Sequence, residues 1–348
     1  MQFHRSDLSP VRFFTARAIA TRAIAMRAVT ASVLMLVALL TGMSAGASPG
    51  HAADRSLTSR LFGERVAEGA SAWDKAMTSS LRLVAARTGS TPLPGETAIA
   101  AGVEITLAPG WKTYWRNPGD SGIAPVFDFS RSRNVAAVEV AYPMPQRFEL
   151  PGDISFGYED QVVFPLSVTP ADPSRPVILT ADVVYGACEE LCIPVEASAE
   201  LDLPARSGGA TEFAGLIARW QAMVPADHEA RVEAADIVTR DGQDWLHLRV
   251  SASAPLAAPV LIAEPMPGDD GGMGTLYLGP LDMTYEGDAA EFMLPAKPLR
   301  DAQGLAQTGG SFRVTLADLG PMPDGAMKPV WAQQFELHLP PRDGSGSH

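Results

Sequence analysis

The chain has 348 residues, enough for two average domains each with its own core. Charged residues make up 19% and apolar ones 46%, and Gly and Pro together number 60, which excludes a disordered or coiled-coil chain and points to short strands joined by many turns. A net charge of −13 argues against nucleic acid or anionic lipid as a partner.

Taken in order, the chain opens on Arg5, Arg12, Arg17, Arg22 and Arg27, then the apolar run Ala28 to Leu40, then Ala45-Gly46-Ala47 as a small-residue cleavage site. This predicts an export signal over 1–47, cleaved near Ala47, with Met26 an equally good start. The apolar run is too short to cross a bilayer. Its removal takes away five Arg and one Asp, leaving 22 basic against 39 acidic residues in a soluble protein outside the cytoplasm.

Residues 48–70 have weak periodicity and read as a leader. From Ser79 the pattern turns to short strands: Leu81 to Ala85, Ile99 to Leu107, Val126 to Phe129, Val135 to Tyr142, Gln161 to Val168 and Val177 to Tyr185, with Pro143 to Pro145 and Leu150 to Gly152 as breaks. Between the second and third lies Gly110-Trp111-Lys112-Thr113-Tyr114-Trp115-Arg116-Asn117-Pro118-Gly119-Asp120-Ser121-Gly122, an aromatic strand bounded by turns. Alternation puts Trp111, Thr113 and Trp115 on one face and Lys112, Tyr114 and Arg116 on the other. The outer row is either a polar surface or the border of a site. Val195, Ala197, Ala199, Leu201 and Leu203 then alternate with polar residues, as a half-exposed strand should.

Residues 205–228 read as a linker and one helix, with Phe213, Leu216, Ile217, Trp220 and Met223 at helical spacing, Thr211 as N-cap and Pro225 past the end. Residues 229–342 carry seven more strand-like runs, from Val232 to Leu339, and 343–348 form a tail. The reading is all-β, with two β-sandwich domains over 71–204 and 229–342 joined by a short linker and one helix.

The chemistry concentrates in Cys188 and Cys192, the only cysteines, flanking Glu189-Glu190-Leu191 at the tip of a hairpin. Redox exchange, a structural staple and metal binding are all compatible with this spacing. Closing so short a loop contributes only about 2 kcal/mol in the loop-entropy model, which argues weakly against a staple. The histidines have no second ligand at metal spacing, so no metal site is expected. Six methionines between Met266 and Met327 hint at copper, though core filling explains them better. Glu189 and Glu190 raise the thiol pKa and make a resting dithiol sluggish, which suits a docked partner better than a passing disulfide. Lys112 or Arg116 would offset them if the aromatic strand lies beside the hairpin.

With Gly110 to Gly122, Phe156-Gly157-Tyr158 and Tyr185-Gly186-Ala187-Cys188-Glu189-Glu190-Leu191-Cys192-Ile193-Pro194, the segment from about Ser71 to Pro204 resembles the N-terminal periplasmic domain of the DsbD family of thiol:disulfide interchange proteins. It is closer to the ScsB-like branch, which is associated with copper-stress tolerance. The resemblance implies a periplasmic immunoglobulin-like domain that cycles between dithiol and disulfide without a cofactor, and a second immunoglobulin-like unit over 229–342. It also implies Cys192 as the exchanging thiol and Cys188 as the resolving one, with Phe156 and Tyr158 in a cap that shields them. Its partners would be a membrane donor of the DsbD/CcdA type and periplasmic thioredoxin-like or disulfide isomerase-like acceptors. Two departures stand out: the cysteines are closer together than in DsbD itself, and neither the membrane conduit nor the thioredoxin-like domain is present, so the donor would be a separate protein. The competing reading is a non-catalytic exported binding, copper-handling or assembly protein with a structural hairpin disulfide.

Overall fold

The computed structural model describes residues 66–340 apart from 120, 151–152, 207, 267–275, 279–281, 299–309 and 322–326. The expected signal, most of the leader and the C-terminal tail lie outside the described residues. The described residues all belong to the compact unit Glu64–His348. Among them no helix is long and apolar enough to cross a membrane.

The first half contributes β1 (Asp74–Lys75), β2 (Ser79–Ala85), β3 (Ile99–Leu107), β4 (Lys112–Gly119), β5 (Val126–Asp128), β6 (Val135–Val140), β7 (Gln146–Leu150), β8 (Asp153–Glu159), β9 (Gln161–Pro170), β10 (Val177–Cys188) and β11 (Cys192–Leu203). They form two antiparallel sheets, in the orders β1-β2-β3-β9-β6 and β11-β10-β4-β8-β7, with β5 also paired to β10. Period-2 alternation explains the layers: Leu81, Leu83, Val103, Ile105, Leu179, Tyr185 and Leu203 point inward and are fully buried, while Glu196, Ser198, Glu200 and Asp202 on β11 point out. The strand β7 falls where the prolines signalled a break. It is the edge strand of its sheet, paired only to β8, so it needs little apolar content of its own.

The second half is built from β12 (Arg231–Arg240), β13 (Gln243–Ser251), β14 (Pro259–Pro265), β15 (Leu276–Leu278), β16 (Asp282–Glu286), β17 (Ala289–Pro298), β18 (Gly310–Pro321) and β19 (Met327–Leu339). These make a β12-β13-β17-β15 sheet with β16 also on β17, and a β14-β18-β19 sheet. The architecture is therefore all-β, as the periodicity predicts, and immunoglobulin-like, as the resemblance implies. The strand without a sequence signal is β16, which is mostly exposed and exists as the return arm of a tight hairpin whose turn holds Gly287 at φ +63°.

The segment between the halves is tied down along its length. Thr88 and Ser90 donate backbone bonds to Gly209 and Pro204 at 3.0 and 2.9 Å, and Gly89 lies so close that an added Cβ would stand 2.0 Å from the Arg206 carbonyl oxygen. The helix α1 (Ala214–Gln221) packs Phe213 and Ile217 against Ala70 and Val84, on the outer side of the first sheet. Thr211 does not cap α1 directly. Its Oγ1 accepts from the Phe213 N–H at 3.1 Å in the turn just before the helix and donates to the Ala85 carbonyl at 2.6 Å.

The two sandwiches share a packed junction. Ile262, Ala317 and Ala332 from the second half join the core cluster that contains Trp115 and Phe164, and the Ala226 N–H donates to the Ala332 carbonyl at 2.9 Å. Across it, Arg116 lies 4.1 Å from the centre of the Trp115 ring and pairs through both guanidinium arms with Glu264, Nε to Oε1 at 3.1 Å. Both side chains are largely buried, so breaking one would leave the other charge unpaired in the interior.

Arg131 grips Asp182 on β10 and holds its carboxyl below the usual carboxylate value, first by hydrogen bonding and then by charge. Asp128 and Asp172 are lowered in the same direction, chiefly by bonds from Ser130 and Ser174. For a depressed pKa the stabilisation is fully present above the unfolded-state value, about 3.9, and is lost as pH falls through the folded one. We expect chemical-denaturation midpoints to be flat from about pH 7 to pH 5 in these groups and to drop below about pH 4. In Arg131→Ala, NMR titration of the Asp182 carboxyl should move its pKa upward, and an unchanged value would refute the assignment.

Candidate disulfide site

The site is built on the register of β10 and β11. Tyr185 opposes Val195, Gly186 opposes Pro194, Ala187 opposes Ile193 and Cys188 opposes Cys192. Tyr185 and Ala187 are fully buried in the core, and the Tyr185 hydroxyl shares a 2.8 Å hydrogen bond with Ser79. Alternation then turns Gly186 and Cys188 to the outer face. The two cysteines form a disulfide with Cα atoms 4.1 Å apart, closer than a three-residue turn alone suggests, because they are directly opposed across the ladder. The turn Glu189-Glu190-Leu191 is exposed.

The sulfurs differ in access. Cys188 is 2% exposed, flanked on one side by β11 and on the other by β4, where it opposes Lys112. Cys192 lies on the edge strand of the same sheet and is exposed. Tyr114, two residues beyond Lys112, brings its hydroxyl to 3.2 Å from the Cys192 sulfur. Its ring is buried beneath Gly122, where an added Cβ would stand 2.3 Å from a ring carbon and φ is +114°. Beside it Ile123 rests on Gly186 and accepts that residue's N–H at 3.2 Å. Only glycine satisfies both the close approach and the backbone angle at 122.

The expected border residues separate. Lys112 and Tyr114 lie beside the cysteines because β4 pairs with the end of β10, and Thr113 and Trp115, on the other face, are fully buried in the core. Lys112 directs its ammonium to Ser155 Oγ at 3.3 Å and over the Phe148 ring at 4.6 Å, away from the acids. Alternation breaks at the bulge between Tyr114 and Gly119, and Arg116 turns to Glu264 in the second half instead of toward the disulfide. The Glu189 carboxylate lies against Gly110, in the turn that leads into β4. Glu190 is exposed.

Phe156 and Tyr158 face away from the sulfurs. Gly157 opposes Tyr114 and Tyr158 opposes Thr113, so Phe156 and Tyr158 share the inner face. Phe156 meets Trp115 edge to face at 6.5 Å, and Tyr158 donates to the Pro143 carbonyl at 2.8 Å while touching Phe164 and Trp220. Burial pushes the Tyr158 hydroxyl well above its ordinary pKa. What lies over the sulfur side in this arrangement is Tyr114 with Gly122 and Ile123. The signal for them in the sequence was a glycine-rich exit from the aromatic strand, which reads equally as an ordinary turn.

Among the described residues no group of three or more His, Cys, Asp or Glu is placed to hold a metal ion, and no cation pairs with Glu189, Glu190 or Glu196. A surface sulfur in a disulfide, with a hydroxyl at hydrogen-bonding distance and a second sulfur behind it, is suited to thiol–disulfide exchange.

Three comparisons bear on the chain. Residues 86–204 match the family model described as thiol:disulfide interchange protein DsbD, N-terminal. The crystal structure of the N-terminal periplasmic domain of ScsB from Proteus mirabilis superposes with a TM-score of 0.58 at 22% identity, covering 79% of this chain and 99% of that one. The comparison with curated proteins finds no match. Over residues 86–204 the chain is therefore similar to the DsbD N-terminal family model, and its fold is that of the ScsB N-terminal periplasmic domain.

Proposed function

We propose that the chain is a periplasmic thiol–disulfide interchange protein, a reductase of protein disulfides, whose Cys188/Cys192 pair carries two electrons from a membrane donor of the DsbD/CcdA type to periplasmic thioredoxin-like or isomerase-like acceptors. The observation that carries the reading is the unequal access of the two sulfurs, with Cys192 exposed and Cys188 buried behind it. The family match supports the reaction class, and the periplasmic origin of the similar ScsB domain supports the compartment.

The exchange balances as follows. In the dithiol form the Cys192 thiolate attacks one sulfur of the acceptor disulfide, and the other acceptor sulfur leaves with the electron pair and takes up a proton. The mixed disulfide on Cys192 is then attacked by Cys188, whose sulfur lies within bonding reach, and the second acceptor thiol departs. The acceptor gains two electrons and two protons while Cys188 and Cys192 close their disulfide. A donor dithiol recharges the pair by the same steps in reverse. Tyr114 is cast as a positioning donor: its O–H at the Cys192 sulfur favours the thiolate and partly offsets the unpaired Glu189 and Glu190, which disfavour it.

The competing reading, a structural staple in an exported binding or copper-handling protein, predicts a different reduction potential. Structural disulfides resist reduction below about −300 mV, so equilibration against dithiothreitol or glutathione buffers should find this pair less reducing than that. A pair still oxidised at a thioredoxin-level potential, about −270 mV, would make it a staple. Cys188→Ser in exporting cells should accumulate a mixed disulfide through Cys192, seen as a slower band on non-reducing gels and absent in Cys192→Ser. The reverse pattern would exchange the two roles. Tyr114→Phe should slow exchange with a small disulfide about fivefold at pH 7, the equivalent of one hydrogen bond of about 1 kcal/mol, and shift the pH–rate profile to higher pH. A slower rate with an unmoved profile would leave Tyr114 a packing role only.

A further inference from the structure

The disulfide lies at one end of an apolar strip. On the outer face of the β10–β11 hairpin, Cys192 is followed by Pro194 opposite Gly186 with Ile123 upon it, and then by Val184 opposite Val126. These positions alternate with the buried Val183, Tyr185 and Val195, so their side chains stand on the same face as the sulfurs. Val126 is 64% exposed, Val184 41%, and Leu191 at the hairpin tip 78%. The strip runs about 13 Å at the usual rise per residue and ends at the Arg131–Asp182 pair.

Two further observations say what fits it. The acids beside the strip, Glu189, Glu190 and Glu196, are exposed and pair with no cation among the described residues, while Lys112 is turned to Ser155 and Phe148. Along β11 the Ser198 N–H points away from β10 to Asp74, so even-numbered amides face the open edge, and at that edge beside the sulfur stands Pro194, which has no N–H. A strand added at the hairpin tip would lose the donor missing at Pro194. This favours a partner that seats side chains on the face.

We propose that this strip is the docking surface for the protein with which Cys192 exchanges, and that the partner's matching surface is apolar at its centre with basic side chains at its rim. The inference rests on the thiol–disulfide reading above and adds the partner's surface chemistry to it. Apolar contact would hold the encounter while sulfur attacks sulfur, and the unpaired acids would steer it and reject acidic disulfides.

The test uses the reduced full chain and three oxidised probes: the symmetrical disulfide of the capped peptide Lys-Leu-Cys-Val-Lys, its counterpart with Glu for Lys, and neutral bis(2-hydroxyethyl) disulfide. At about 10 mM ionic strength the basic peptide should react about tenfold faster than the acidic one, and the ratio should fall below about twofold near 0.5 M salt. Glu196→Gln should lower the basic-to-acidic ratio about twofold. Val126→Ser and Val184→Ser should slow the basic peptide about fivefold while leaving the small neutral disulfide unchanged. Equal rates for the two peptides at low salt would overturn the proposal, and so would a preference untouched by all three substitutions, which would come from the chain's net charge alone. Failure to reduce even the neutral disulfide would instead overturn the thiol–disulfide reading itself.

Discussion

Everything at the site depends on the register of one hairpin. Twelve residue pairs lock β10 to β11, and the inward members of that ladder, among them Leu179, Val183, Tyr185, Val195, Leu201 and Leu203, are buried. A slip of one residue in either strand would turn that strand's inward set to solvent and its cysteine toward the core. Each buried side chain of this size contributes about 1.5–3 kcal/mol, so the ladder outweighs the ~2 kcal/mol that closing the short loop supplies. The core fixes where the sulfurs stand, and the disulfide can open without the strands letting go.

That priority of core over crosslink makes a reversible bond physically reasonable in this position. The same sheet order creates the difference between the sulfurs: β10 is flanked on both sides at its end, and β11 is an edge. Cys188 is covered by its neighbours and Cys192 is left accessible. The Tyr114 hydroxyl then reaches the accessible sulfur from a ring that Gly122 clamps in place. The exposed sulfur, the hydroxyl and the covered sulfur are thus set by rigid strands rather than by a loop, which keeps their geometry precise.

The strand that carries Tyr114 also carries Arg116, and there the two halves of the molecule meet. Arg116 leaves the sulfur side at a bulge, stacks on Trp115 and pairs with Glu264, while Ile262, Ala317 and Ala332 extend the first core into the second sandwich. A largely buried ion pair adds little net stability over an apolar contact but penalises misalignment strongly. The second sandwich is packed against the redox half rather than strung from it, with the strand of the site as part of the seam.

The sequence by itself determined the strand periodicity, the all-β architecture, the hairpin with its opposed cysteines, and the shared face of Lys112 and Tyr114 on the aromatic strand. These follow from local rules, since a period of two assigns each side chain to a face of its own strand. Tertiary structure alone decided the rest. Phe156 and Tyr158 face the core because Gly157, between them, is the residue set against Tyr114. Arg116 points away because a bulge interrupts alternation, and β7 and β16 are strands because a neighbour supplies their partners. Which sulfur is covered depends on sheet order, which joins residues far apart in the chain and leaves no mark in the spacing of two cysteines.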